Sequence, residues 1–334
     1  MTRLAPFEVD PCVNAPTISA SDEVSTFGSC FAQHIGRFIK SSGLNYFTPE
    51  CGAAGLSPEE LIRSNYGVFS GRYGNIYTAG QLLQLFDRAF DSFHPVDDIW
   101  KLNDYYVDAF RPQIQPNGFP DKASLLLDRQ IHLSHVRDIF IKSKYIIFTL
   151  GLTESWRSKV DGAIYPIPPG ISGGHFDPSK YEFVNFSPSQ VEEHLNCFLM
   201  KLKNINPHAN VILTVSPVPL IATYENRHVL SSTTYSKAAL RVAADAIERK
   251  HKHVNYFPSY EIITSPTAQG RYFMDDLRSV TDSGVKHVMR IFRKHYIISD
   301  DNFNKINTLG IKNISTDLIC DEELIELSLN RLSP

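Results

Sequence analysis

The sequence predicts an α/β protein built on a parallel sheet with helices over both faces. Four short apolar runs have the length of buried strands, amphipathic helical patterns separate them, and chemistry-bearing residues gather just past the ends of the runs. Val24 to Phe27 is the first run, and Phe31, Ala32, Ile35, Phe38 and Ile39 then repeat as one apolar helical face over Phe31 to Ser42. Helical patterns follow at Ala79 to Phe90 and Ser124 to Ile139, leading into the second run, Tyr145 to Leu150. Gln190 to Asn204 is helical before the third run, Asn210 to Val215; Thr234 to Lys250 is helical before the fourth, Val254 to Phe257. Thr281 to Arg293 supplies the last helix of the domain. Runs apolar throughout, rather than alternating, indicate strands covered on both sides, with Val24 to Phe27 and Tyr145 to Leu150 expected among the central strands.

The 334 residues allow one large domain with insertions. The reading here is a domain over 1–292 and an extension over 293–334, in which Leu324, Ile325, Leu327, Leu329 and Leu332 give a short amphipathic helix. Residues 66–120 hold more aromatics, Pro and Gly than a connection needs and read as an insertion that covers the substrate. A 43% hydrophobic share supports a real core, while 21% charged residues and a net charge of −3 lack the basic footprint of a nucleic-acid binder. No run reaches the length of a membrane span and the first residues lack a secretory signal, so the expectation is a cytoplasmic protein without an integral membrane segment. Cys12, Cys30, Cys51, Cys197 and Cys320 are odd in number and show no pair spacing, which argues against a disulfide framework. The histidines show no metal-binding spacing either, and no metal is expected.

Gly28-Ser29-Cys30-Phe31-Ala32 places two candidate nucleophiles where a strand turns into a helix. The first-turn N–H groups of such a helix set a positive potential around both side chains, suited to a developing oxyanion. Other residues just past strand ends are Gly151, Thr153 and Glu154, then Ser216.

These five residues spell the motif of the GSCFA family, which resembles the SGNH or GDSL hydrolases. Similar segments recur at Tyr73-Gly74-Asn75-Ile76-Tyr77-Thr78, Phe110-Arg111-Pro112, Phe148 to Trp156, Leu213 to Leu220, Tyr235-Ser236-Lys237 and Tyr256 to Glu261, together covering about Val24 to about Phe292. The resemblance implies an SGNH-hydrolase-like, flavodoxin-like three-layer sandwich with a central parallel sheet. It also implies acyl transfer on an ester or thioester, with an O-acyl, such as acetyl, group moved to or from a carbohydrate in surface-polysaccharide metabolism.

Aligning Gly28 on the Gly of a Gly-Asp-Ser-Leu turn puts Cys30 at the nucleophile, and sliding by one residue selects Ser29; the Gly spacing and the intrinsic reactivity of a thiol favour Cys30. For the oxyanion and substrate, Gly67 beside Asn65 and Asn75 beside Gly74 are candidate donors. Gly151-Leu152-Thr153-Glu154 resembles a Gly-X-Asn-Asp block with Thr for Asn and Glu for Asp. The resemblance to SGNH hydrolases, many of which carry an Asp-X-X-His loop ahead of the last helix, sets Asp276-Leu277-Arg278-Ser279 in that place, with Ser279 where the His would be. His287 is the nearest substitute base, with His228 and His34 in reserve; Glu154 can orient it, and Arg111 or Lys237 can meet an acidic group. No cofactor is required, acyl-CoA serves as a conceivable donor substrate, and self-association is compatible with the sequence. A silent glycan- or partner-binding module, using Tyr66, Tyr73, Trp100 and Trp156 as stacking surfaces, is the alternative.

Overall fold

The computed structural model describes residues 9–12, 15–52 and 55–298. In chain order the elements are β1 (Val24–Gly28), α1 (Cys30–Ser41), α2 (Pro58–Arg63), α3 (Ala79–Ala89), β2 (Ile99–Leu102), β3 (Tyr105–Asp108), α4 (Lys122–Lys142) and β4 (Tyr145–Leu150). There follow β5 (Glu154–Ser158), β6 (Ile164–Tyr165), β7 (Tyr181–Asn185), α5 (Pro188–Ile205), β8 (Asn210–Val215), α6 (Val229–Lys250), β9 (Val254–Tyr256), α7 (Ser259–Thr264) and α8 (Asp282–Tyr296). The amphipathic tail proposed for 321–332 lies outside the described residues.

All four apolar runs are parallel strands of one sheet in the order β1-β4-β8-β9. Side-chain parity divides them between two cores. Phe27, Ile146, Phe148 and Leu213 pack with residues of α3 to α6, whereas Val24, Ile147 and Ile212 pack with residues of α1, α7 and α8. The result is a three-layer α/β/α sandwich. Local signals start the helices: Thr78 and Ser187 close capping boxes with Gln81 and Gln190, Pro188 occupies the first turn of α5, and Asp121 and Thr281 cap α4 and α8.

β1 is not flanked by two full strands as the sequence led us to expect. Among the described residues its outer side meets no full strand but a parallel bridge to Tyr46, with the Val24 N–H donating to the Asn45 carbonyl and the Phe47 N–H to the Val24 carbonyl. Further along that edge the Thr26 N–H donates to Ser70 Oγ, the Tyr73 hydroxyl donates to the Thr26 carbonyl, and the Ile76 N–H donates to the Gly28 carbonyl. Counting the 46 bridge, the spatial order is 2-1-3-4-5. The chain reverses its direction of travel between β1 and β4, and the crevice at their carboxyl ends is the place where such sheets bind ligands.

Segment 66–120 divides between two environments. Phe69, Tyr73, Ile76 and α3 are buried in the main core, while Trp100, Val107 and Phe110 of the β2–β3 region cluster with Tyr165 and Tyr181. Tyr165 and Tyr181 belong to a second, antiparallel sheet, β6-β5-β7, which the sequence did not reveal.

Candidate active site

Gly28 ends β1 with φ +138, and a Cβ there would lie 2.5 Å from the Thr149 carbonyl oxygen of β4. Only glycine allows the two strands to approach this closely while the backbone turns. Ser29 follows in extended conformation as N-cap of α1, yet its side chain makes no capping hydrogen bond. Its Oγ is buried and has no hydrogen-bond partner among the described residues, and the same holds for Thr149 Oγ1 on the adjoining strand. Two unsatisfied hydroxyls thus lie at neighbouring strand ends, an arrangement costly for folding alone.

Gly151, just past β4, faces Ser29 so closely that a Cβ on it would lie 2.9 Å from Ser29 Cβ and 3.3 Å from Ser29 Oγ. The Gly151 and Leu152 N–H groups both donate to the Tyr77 carbonyl, at 2.9 and 3.1 Å. With Ile76 bonded to Gly28, three loops thus converge: 28–30, 75–77 and 151–152. Gly28, Ser29, Gly151 and Tyr77 meet here, while Asn75, the residue before Ile76, lines a separate pocket with Asn65, Tyr73 and Arg111. Tyr77 was missed, although its position in the Tyr73-to-Thr78 segment marked the stretch.

Cys30 sits in the same turn but faces elsewhere. As the first residue of α1 it packs in the core cluster that includes Phe31, Ile35, Tyr145, Ile147 and Phe257. The extended backbone at Ser29 and the helical backbone at Cys30 send consecutive side chains in different directions, so the one-residue choice left by the motif becomes geometric.

The other candidates are engaged in structural bonds. Thr153 is buried, with its N–H donating to Ser236 Oγ at 3.0 Å and its hydroxyl to Asn185 Oδ1 at 2.7 Å. Thr153→Val should therefore cost about 1 kcal/mol in chemical unfolding and leave turnover nearly unchanged; a large loss of rate would instead return Thr153 to the oxyanion. Ser216 Oγ accepts from the Val218 N–H. Gly67 lies near Lys40, in the last turn of α1, at the opposite end of that helix from Ser29. Arg111 is buried, with its guanidinium donating to Asp108 and Asp128 and to the Arg72 carbonyl. It belongs to an internal ion network that also joins Arg72 to Asp128 and Arg129 to Asp98 and Asp108.

Asp276 lies in an exposed turn and accepts from the Arg278 and Ser279 N–H groups and from the Ser279 hydroxyl, so the Asp-X-X-Ser loop is closed on itself. His287 is bonded through Nδ1 to the Tyr272 hydroxyl at 2.7 Å, and burial lowers its pKa. His228 caps α6, its Nδ1 accepting from the Leu230 N–H. His34 packs edge-on against Phe31, and burial, aided by Arg37, drives its pKa down to about 4. Above its unfolded value of 6.5 neither state of His34 binds a proton; between 6.5 and about 4 the unfolded chain takes one that the fold refuses. Stability should fall with pH through that window, and thermal unfolding of His34→Asn should show a flatter acid limb. An unchanged limb would refute the assignment.

Leu152 also borders a small open pocket lined by Glu154, Trp156, Phe183, Leu220 and Tyr224 among others. Glu154 accepts from the Thr223 hydroxyl at 2.6 Å and from the Tyr224 N–H, while burial raises its pKa. Of the aromatics proposed as stacking surfaces, Tyr73 and Trp100 are buried and cannot serve, and Tyr66 carries the Arg72 guanidinium 4.2 Å from its ring centroid. Trp156 remains half-buried at the cavity. Among the described residues, no helix is long and apolar enough to cross a membrane, and one candidate metal-binding group, Asp10, Cys12 and His295, occurs, with Asp10 accepting from Lys294 and hydrogen-bonded to His295 Nε2.

A family model described as the GSCFA family matches residues 23–292, and the chain belongs to that family. No curated protein matches it. Among solved structures it is similar to an acetyl xylan esterase, Est2A, from the rumen bacterium Butyrivibrio proteoclasticus, at 12% identity and a TM-score of 0.30, covering 84% of this chain and 66% of that one.

Proposed function

We propose that this GSCFA family member is an acyl-transfer enzyme in which Ser29, rather than Cys30, attacks the carbonyl of an ester or thioester. The observation that carries the reading is the buried, unpartnered Ser29 Oγ at the sheet's switch point, opposite a Gly that leaves room for it. As the Oγ–C bond forms, the carbonyl electron pair moves onto oxygen, where the first-turn N–H groups of α1 offer stabilisation. Collapse expels the alcohol or thiol, and water or a sugar hydroxyl then releases the acyl group from Ser29.

The cavity beside Leu152 supports a ring-shaped partner: Trp156, Phe183 and Tyr224 offer apolar surface, and Glu154 adds a carboxylate for hydroxyl groups. We take an O-acylated carbohydrate as the substrate class, with an acyl-CoA as the donor where the reaction runs as transfer. Intact mass after incubation with p-nitrophenyl acetate tests the reading. An acetyl adduct mapped to Ser29 supports it; an adduct on Cys30 reverses the assignment, and no adduct with no turnover leaves the fold as a binding module.

A further inference from the structure

Lys237 is the least expected residue at the site. It lies on α6 with a relative exposure of 1%, and its Nζ donates to the Gly151 carbonyl at 2.7 Å. Gly151 is also the residue packed against Ser29, so the amine is bonded to the neighbour of the proposed nucleophile, with no hydrogen bond between Nζ and Ser29 Oγ in this structure. Removing an ammonium from water is expensive, and a surface position would have avoided that cost. The next residue back, Ser236, accepts from the Thr153 N–H, so this turn of α6 is held against the loop that follows β4.

The other basic groups considered for the role are placed differently. His287 is tied to Tyr272 on the α8 side, His228 caps α6 in an exposed position, and Asp276 is paired with Ser279 where many SGNH hydrolases would place a histidine. A lysine can replace histidine chemically, because a desolvated amine readily gives up its proton and Ser–Lys pairs serve hydrolases of unrelated fold.

We propose that Lys237 is the general base for Ser29, an inference that rests on the acyl-transfer reading above. The neutral amine takes the Ser29 Oγ proton as the Oγ–C bond forms and the carbonyl electron pair moves to oxygen. The resulting ammonium returns that proton to the departing alkoxide or thiolate as the C–O or C–S bond breaks. In deacylation the amine takes a proton from water or a sugar hydroxyl, and the ammonium then hands it to Ser29 Oγ.

The test measures Ser29 acetylation by p-nitrophenyl acetate across pH in the wild type, Lys237→Met and Lys237→Arg, each checked for folding by thermal unfolding. The wild-type rate should climb with pH along one ionisation, and its apparent pKa should move downward on warming as an amine's does and a carboxylate's does not. Lys237→Met should lose roughly 10²–10⁴-fold in acetylation and lose the pH dependence. Lys237→Arg keeps the charge and a donor for Gly151, and so rescues a purely structural role, but it cannot accept the proton and should remain impaired. Acetylation in Lys237→Arg within tenfold of wild type with the same pH profile would overturn the inference, as would a wild-type apparent pKa insensitive to temperature. If the Met variant does not fold, the Arg variant and the wild-type temperature dependence decide. Absence of any Ser29 adduct in the wild type would instead sink the acyl-transfer reading itself.

Discussion

Ser29→Ala should abolish acyl transfer, lowering turnover by at least roughly three orders of magnitude, while leaving the thermal midpoint unchanged or slightly raised. The second half of that expectation is unusual for an N-cap residue, whose loss ordinarily costs about 1 kcal/mol. Here the Oγ caps nothing and has no hydrogen-bond partner among the described residues, so the methyl group removes an unsatisfied polar atom rather than a bond. Cys30→Ala should behave in the opposite way, costing about 1 kcal/mol by removing a packed thiol from the α1 core and sparing turnover. Ester hydrolysis and unfolding measured on the same two variants separate the roles. Turnover of Ser29→Ala within tenfold of wild type would refute the nucleophile assignment.

Asp108→Ala should be among the most damaging substitutions in the protein, at about 3–5 kcal/mol in denaturant unfolding. Burial works to raise the Asp108 pKa, but Arg111, Arg129 and Arg88 around it hold the carboxyl far below its usual range. Removing the carboxylate leaves buried guanidiniums uncompensated, of which Arg88 already lies over the Phe110 ring with Nη2 lacking a hydrogen-bond partner among the described residues. A loss below about 1 kcal/mol would show that the network relaxes by admitting water.

The parallel sheet was legible because its strands are apolar throughout: a strand buried on both faces leaves no other reading for Tyr145 to Leu150 or Asn210 to Val215. The small antiparallel sheet was not, because β5 and β7 are half-buried and carry a cross-strand Arg157–Glu182 pair, which in a linear sequence is indistinguishable from loop. Around the turn, the motif pointed to Gly28 and Gly151, whereas the choice between Ser29 and Cys30 turned on where one backbone step sends each side chain. Spacing to Gly28 selects Cys30, which packs in the core beside α1, whereas the proposal above takes Ser29. Lys237 read as an ordinary helical charge. Its burial arises only when α6 is laid across the end of β4, a contact between residues 86 positions apart.

The outer edge of β1 has a consequence for association. An open strand edge is a template on which a second chain, or a peptide, can add a strand. Val24, Thr26 and Gly28 present their edge groups in steps of two, and Asn45, Phe47, Ser70, Tyr73 and Ile76 of the same chain engage them. Strand exchange or fibril-like growth through β1 would first have to peel away segments 45–47 and 70–76, and with them the loop whose Ile76 and Tyr77 bond Gly28 and Gly151. Any assembly that preserves the site must therefore join its copies elsewhere.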